Sequence, residues 1–525
     1  MRDFQKPGRS TVFAMNGMCA TSHPLAAQTA VRVLDGGGNA VDAAIAAAMV
    51  LNTCEPQMTG LGGDMFALVR KPGEPVRGLN GSGRAPAGLS AEALRAEGLA
   101  AIPADHPAAI TVPGAVDGFC ALHEAFGSRG LDELLAPAIR HAEEGVPVAP
   151  RTAFDWSIGV DLLAPSAGAA YSIDGRAPAP GEVFRAPGQA EVLRRIAVRG
   201  RAGFYEGEVA ADMLAALRAI GGTHTEADLD AARADWVEPL SLDYKGRRLI
   251  ELPPNGQGAA AMLLCNILKE FDLAALDPFG AERAHLEAEA TKLAYDARNR
   301  FVADPRHATR VGHLLSADTS RGLAKLVQPR SVIADPAPLS EAVHRDTVYL
   351  TVVDRDRMAV SLIYSIFRKF GSGHASDRFG ILFHNRGSGF NLIEGHPNEA
   401  GPGKRPMHTI IPAMLEEPDG SLVPFGVMGG AYQAAGHSRF ATNVVDYGMD
   451  LQDAIDGPRC FAVDGELRVE RGYAPAVHDA LAALGHRVVV PEEPIGGAQA
   501  IRIDEARGVL EGASDPRKDG IALGL

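Results

Sequence analysis

The sequence has no paired cysteines. Cys19, Cys54, Cys120, Cys265 and Cys460 stand far apart and form no C-x-x-C pair. Neither a zinc ribbon nor a disulfide framework is indicated, and the five read as reduced core residues. Basic clusters are missing too. The formal net charge is −14, with Lys and Arg scattered among acids, which excludes a phosphate-backbone binder and makes nucleic acid an unexpected partner. No apolar run approaches the roughly 20 residues of a bilayer span. The most apolar one, Ala40 to Leu51, is interrupted by Asp42 and reads as a buried helix. The first twenty residues lack the continuous apolar stretch of a secretory signal, so a cytoplasmic protein is expected. Also absent are H-E-x-x-H, G-x-x-x-x-G-K-S/T and G-x-S-x-G, which removes the minimal residues of zincins, P-loop enzymes and α/β-hydrolases. The sixteen histidines, His224, His285 and His307 among them, show no ligand spacing. No metal and no cofactor is expected.

What is present is an ordinary globular composition, 46% hydrophobic and 22% charged, over a length that allows several small domains or one large intertwined one. Apolar spacing predicts a helix over Pro24 to Asp35, stopped by Gly36-Gly37-Gly38, and a second from Ala40 to Cys54 capped by Asn39. The Gly-rich stretch from Gly60 leads into an apolar strand. Helical patterns dominate from Gly114 to about Arg300, including Leu131 to Glu144, Gly188 to Val198, Val209 to Ile220 and Ala281 to Phe301. Residues 328–346 break all periodicity with three prolines and mixed charge, and read as an exposed connector. Strand-rich sequence follows: Thr347 to Val353, Ala359 to Ile366 joined by a turn at Asp354 to Met358, then Ile410 to Leu415 and Phe425 to Met428, with helices such as Ala476 to Leu484 interspersed.

A threonine at the junction of an acidic-ended connector and a β-rich segment suggests self-cleavage. The Thr347 hydroxyl would attack the Asp346 carbonyl, the peptide would shift to an ester, and hydrolysis would free a Thr347 α-amine. An α-amine has an ordinary pKa of about 7.7–8.0 and takes a hydroxyl proton near neutral pH, so one residue supplies nucleophile and base. Thr is also an ordinary strand-start residue, and spacing alone does not separate the two readings.

Four ordered blocks carry a family resemblance: GMCATSHPLAAQTAVRVLDGGGNAVDAAIAAAMVLNTCEPQMTGLGGDMF, DTVYLTVVDRDRMAVSLIYSIFRKFGSG, GKRPMHTIIPAM from Gly403, and GVMGGAYQAAGH from Gly426. Together they resemble the γ-glutamyltransferase family across essentially the whole chain. The resemblance implies an α+β fold, the four-layer αββα sandwich of N-terminal nucleophile hydrolases. It also implies cleavage into a large helix-rich chain, residues 1–346, and a small catalytic chain, 347–525, whose strands share the central sheets. By the same resemblance Thr347 is the nucleophile, Ser365 replaces a second Thr that hydrogen-bonds the nucleophile's amine, and Gly429 and Gly430 form the oxyanion hole. Tyr364 and Asn385 fall in matched segments and are pocket candidates.

The pattern breaks where the family grips the γ-glutamyl zwitterion. Ser82 stands at the position of its Arg, with Arg84 two residues on; Phe367 replaces its Asn; Gly389 replaces its Asp; and His408-Thr409 replace its Ser pair. The chain therefore looks closer to the acylase-like and oxamate-amidohydrolase branch of the family. The expected reaction is hydrolysis of a small amide whose acyl part is not a standard γ-glutamyl group, with Arg84, Arg386 or His408 as candidate carboxylate anchors. The alternatives are a γ-glutamyltransferase or glutathione hydrolase using other anchors and, third, a processed but idle scaffold. The expected partners are the amide and the two fragments of the same chain, with no membrane; whether the whole forms a homo-oligomer stays open.

Overall fold

The structure, a computed structural model, describes residues 5, 8–333 and 348–525. Asp346, Thr347 and the connector from residue 334 lie outside the described residues. Two seven-stranded antiparallel sheets stack face to face. One runs in the order Ile521–Gly524, Gly17–Thr21, Val348–Asp354, Ala359–Ser365, Asp64–Arg70, Arg77–Gly81, Asp235–Val237. The other runs Val12–Ala14, Val509–Ser514, Gly497–Asp504, Leu422–Met428, Ala413–Glu416, Arg247–Glu251, Leu240–Tyr244. Each sheet mixes segments from before and after the connector.

Alternation along a strand explains the layers. In Val348–Asp354, Tyr349 and Val353 join the core between the sheets, while Val348, Leu350 and Val352 join the core against the helices. Both faces are covered, so the strands read as unbroken apolar runs and not as alternating ones. Helices Pro24–Asp35, Ala40–Cys54 and Ala115–Phe126 cover the first sheet; Gly258–Leu268, Ala281–Phe301 and Tyr432–Val445 cover the second. The result is the αββα sandwich. No helix among the described residues is long and apolar enough to cross a membrane.

Several local features follow from chemistry visible in the sequence. Helix Ala40–Cys54 starts in a capping box between Asn39 and Asp42. The hairpin between Val348–Asp354 and Ala359–Ser365 closes through Asp354, whose Oδ1 accepts the Met358 N–H at 2.9 Å and whose Oδ2 accepts the Ala40 N–H at 2.9 Å. One turn thus shapes the hairpin and holds the start of the buried helix.

The structure corrects two expectations and adds one element. The stretch read as helix-dominated contains strands Leu240–Tyr244 and Arg247–Glu251, joined by Lys245 and Gly246 at φ 52° and 83°. This is a tight two-residue hairpin, and its flanking strands are too short to show a period. The strand expected over Ile410 to Leu415 begins only at Ala413, because Pro412 has no N–H for a ladder. Helix Tyr432–Val445 went unread because Gln433, His437, Arg439 and Asn443 interrupt its apolar pattern, although all four are buried.

Candidate active site

Val348 pairs with Tyr364 across the ladder, and Ser365, the next residue, pairs with Asp64 on the neighbouring strand. Thr347 precedes Val348 in sequence. The fold therefore gathers two of the four sequence blocks at one end of the first sheet. Ser365 is fully buried and its Oγ accepts the Phe367 N–H at 2.8 Å. Gly63 has to be glycine here, since a Cβ would lie 2.4 Å from the Ser365 carbonyl oxygen.

Gly429 and Gly430 follow strand Leu422–Met428 and precede helix Tyr432–Val445. Both have positive φ, 122° and 55°, and a Cβ on Gly429 would lie 2.9 Å from Gly496 Cα. Only glycine fits this turn. Their carbonyls are tied down: Gly429 O accepts from Tyr432 N at 3.1 Å, and Gly430 O accepts from Gln433 N at 3.2 Å and Gln257 Nε2 at 3.0 Å. Fixed peptide planes at a helix start are what a preorganised oxyanion site needs.

The buried polar centre is Asp64. Its Oδ1 accepts the Gly83 N–H at 2.8 Å, and its Oδ2 accepts from His408 Nε2 at 3.0 Å and lies 3.4 Å from His384 Nδ1. Burial works to raise its carboxyl, but His384 and His408 outweigh it and hold Asp64 well below the usual carboxylate range. His408 Nδ1 accepts the Ile410 N–H at 3.2 Å, so the proton sits on Nε2. Burial, helped by Arg386, lowers His408 to about 3. A neutral ring brings no charge to a substrate carboxylate.

The other candidates separate clearly. Tyr364 is buried on the helix side of the sheet, edge-on to Phe119 with ring centroids 5.2 Å apart. Asn385 braces the loop around Phe367, donating to Gly371 O at 2.7 Å and accepting from Arg368 N at 3.2 Å. Arg84 lines a cavity of about 300 Å³ with Ser82, Val112 and Arg233. It is held by Asp235 at 3.0 Å and Asp304 at 3.5 Å. Thr409 Oγ1 accepts from Arg386 Nη1 at 2.9 Å. Arg386 is fully buried, and its Cζ lies 3.8 Å from the centroid of the Phe367 ring. Burial pulls its guanidinium down to about 9, which leaves it a cation at neutral pH. At Gly389 a Cβ would lie 2.6 Å from Met407 O, so this backbone leaves little room there for a carboxylate side chain.

Sequence reasoning did not single out Asp64, His384 or Gln257. Asp64 sits inside a quoted block, but its partner His408 is 344 residues away. Among the described residues, His285, Glu289 and His486 form one group with metal-ligand atoms close together. Those atoms are engaged: His285 bonds His486 at 2.8 Å and Gln328 O at 2.7 Å, and Glu289 accepts from Lys292 at 2.7 Å and from Ile333 N. The group fastens the chain just ahead of residue 334.

A sandwich of this kind, with glycine-built turns and a strand beginning at the end of the connector, defines an N-terminal nucleophile hydrolase. The gamma-glutamyltranspeptidase family model matches residues 26–525, and the chain belongs to that family. It is accordingly an autoprocessing amidohydrolase with a threonine nucleophile. It is 36% identical to a glutathione hydrolase-like proenzyme of Bacillus subtilis (98% of this chain, 99% of the relative). It is 35% identical to the oxamate amidohydrolase proenzyme of Klebsiella pneumoniae (98% and 99%). The solved cephalosporin acylase of Bacillus halodurans superposes with a TM-score of 0.92 at 38% identity, covering 100% of this chain and 99% of that one.

Proposed function

We propose that the chain hydrolyses a small amide through an acyl-enzyme on Thr347, with an acyl part other than a γ-glutamyl group. The Thr347 α-amine takes the proton from its own hydroxyl, Oγ attacks the amide carbonyl, and the N–H groups of Gly429 and Gly430 receive the oxyanion. The amine leaves with a proton, and water then releases the acid. Residues 1–346 form the large chain and 347–525 the small one, with Ser365 orienting the amine.

The observation that carries the substrate class is the content of the zwitterion clamp. Gly389 offers no anion, Phe367 offers no amide, and the buried cation Arg386 stacks on Phe367, the residue at the position of the family's Asn. A buried ammonium without a counter-charge costs several kcal/mol. The second reading, a γ-glutamyltransferase or glutathione hydrolase, is favoured by the name of the Bacillus subtilis relative.

The deciding experiment compares kcat/KM for glutathione, γ-glutamyl-p-nitroanilide and a panel of small amides. We expect the best amide to exceed glutathione by at least about 100-fold, the scale on which a site leaves a lost charge partner unanswered. Glutathione turned over as well as the best amide would establish the second reading.

A further inference from the structure

Buried arginines in this protein normally meet a carboxylate. Arg283 bonds Glu287 at 2.9 Å, Arg405 bonds Asp235, and Arg459 bonds Asp515. Arg386 is as deeply buried as any of them, yet its hydrogen bond goes to a neutral hydroxyl, Thr409 Oγ1. Its Nε and Nη2 find no hydrogen-bond partner among the described residues. Those two atoms form one edge of the guanidinium, the edge that receives both oxygens of a carboxylate side-on.

The mounting of this edge is specific. Phe367 supports the guanidinium from below, and it does so at φ 80°, a strained conformation for a non-glycine residue. Its N–H is fastened to Ser365 Oγ. On the other side, Thr409 O accepts from Gln257 Nε2 at 2.8 Å, and the same amide nitrogen bonds Gly430 O. Gln257 Oε1 is itself held by Arg298 at 2.8 Å. Arg386 is thus wired to the candidate amine-orienting hydroxyl through Phe367 and to the candidate oxyanion turn through Thr409 and Gln257. The charge of Asp64 works to keep the guanidinium protonated, but no hydrogen bond joins the Nε–Nη2 edge to any acceptor among the described residues, and a buried cation edge left unmatched is costly unless an anion completes it.

We propose that the Nε–Nη2 edge of Arg386, shelved on Phe367 and tethered by Thr409, anchors a carboxylate on the acyl part of the substrate, so that the enzyme selects monoamides of small dicarboxylic acids lacking an α-ammonium. The inference rests on the amidohydrolase reading above and names its substrate class. A γ-glutamyl group brings an ammonium beside its carboxylate toward the buried guanidinium, so Arg386 disfavours it relative to a dicarboxylic acyl group without the ammonium.

The test uses the mature enzyme, wild type and R386K, R386M and T409V. Oxamate, malonamate and succinamate are each compared with the neutral amide of matching length: acetamide, propionamide and butyramide. In wild type the best carboxylate substrate should lead its neutral counterpart by about 100-fold or more in kcat/KM, as expected for a desolvated bidentate pair. That lead should fall to within about threefold in R386M, with R386K intermediate because lysine lacks the fork. T409V should reduce the lead at least about 10-fold, consistent with loss of one hydrogen bond to a charged group.

Calorimetric binding of oxalate, malonate and succinate reads the anchor without turnover, and the tightest should weaken at least 30-fold in R386M. Arg386-dependent binding with no amide turned over would keep the anchor and remove the amidohydrolase reading. Amide turnover with the carboxylate preference unchanged in R386M overturns the anchor and leaves that reading standing. If R386M fails to self-process, R386K and T409V decide: a preference unchanged in both overturns the proposal.

Discussion

Ser365 shows how much one hydroxyl carries. Its Oγ accepts the N–H of Phe367, the residue held at positive φ, while its position opposite Asp64 sets it at the end of the sheet where the chain's second segment begins. Ser365→Ala should lower kcat by about 2- to 12-fold, the worth of a neutral hydrogen bond of roughly 0.5–1.5 kcal/mol. Ser365→Thr, which keeps the hydroxyl, should restore most of it. Steady-state kinetics check this, and a kcat equal to wild type in Ser365→Ala would show that the hydroxyl orients nothing. At this scale the sequence was legible where chemistry is local. A Gly-Gly step, a Thr after a connector and a hydroxyl two residues before Phe367 are all visible in place, but the roles proposed for them came from the family resemblance and not from their spacing. Asp64, His384 and His408 were not legible as a cluster, because a carboxylate and an imidazole at opposite ends of a chain carry no mark of their meeting. Arg84 shows the converse: its sequence position suggested an anchor, but Asp235 and Asp304 hold its guanidinium.

Among the elements, helix Ala40–Cys54 is the most revealing. Every one of its residues is buried, and the aspartate that interrupts its apolar run turns out to organise its start. Asp42 Oδ2 accepts the Asn39 N–H at 2.9 Å, and Oδ1 accepts the Ser128 N–H at 2.9 Å and the Arg129 N–H at 3.3 Å. Asp42→Ala removes half of the capping box and three hydrogen bonds from half-buried or exposed residues, at a cost of about 1–2 kcal/mol. Urea unfolding of the Thr347→Ala precursor, with and without Asp42→Ala, measures it; an unmoved midpoint would refute the capping role. Some helices were read closely: Pro24–Asp35 and Ala281–Phe301 have the bounds expected. Elements with little local signal were not. The hairpin at Lys245-Gly246 is too short, and helix Tyr432–Val445 trades its apolar pattern for buried hydrogen bonds such as His437 Nδ1 to Glu251 Oε1 at 2.7 Å.

For the molecule as a whole, the layered architecture was expected from the family resemblance, and its physical logic lies in the strand pairing. Val348–Asp354 is flanked by Gly17–Thr21 on one side and Ala359–Ser365 on the other, and Ala359–Ser365 by Asp64–Arg70. Strands from the two sides of the connector are therefore interleaved within one sheet. The purified protein should split without added protease between Asp346 and Thr347, giving pieces of roughly two-thirds and one-third of the length. The pieces should migrate together in native size-exclusion chromatography and part only under denaturing conditions. Intact mass, N-terminal sequencing and Thr347→Ala, which should abolish both splitting and turnover, check it. An active preparation that stays a single chain would falsify the mechanism.

That interleaving changes the kind of stability the protein has. Before the cut, Gly17–Thr21 and Val348–Asp354 belong to one chain, and the connection gives each an effective concentration near the other that no dilution can remove. After the cut the same ladder is an interface between two molecules. Once the fragments separate, recovery becomes bimolecular, and each fragment exposes the unpaired edges and apolar faces its partner covered. The processed enzyme thus persists through the slowness of its first opening, and not through an equilibrium it can revisit. Self-cleavage makes the fold a one-time event, completed while the chain is still whole.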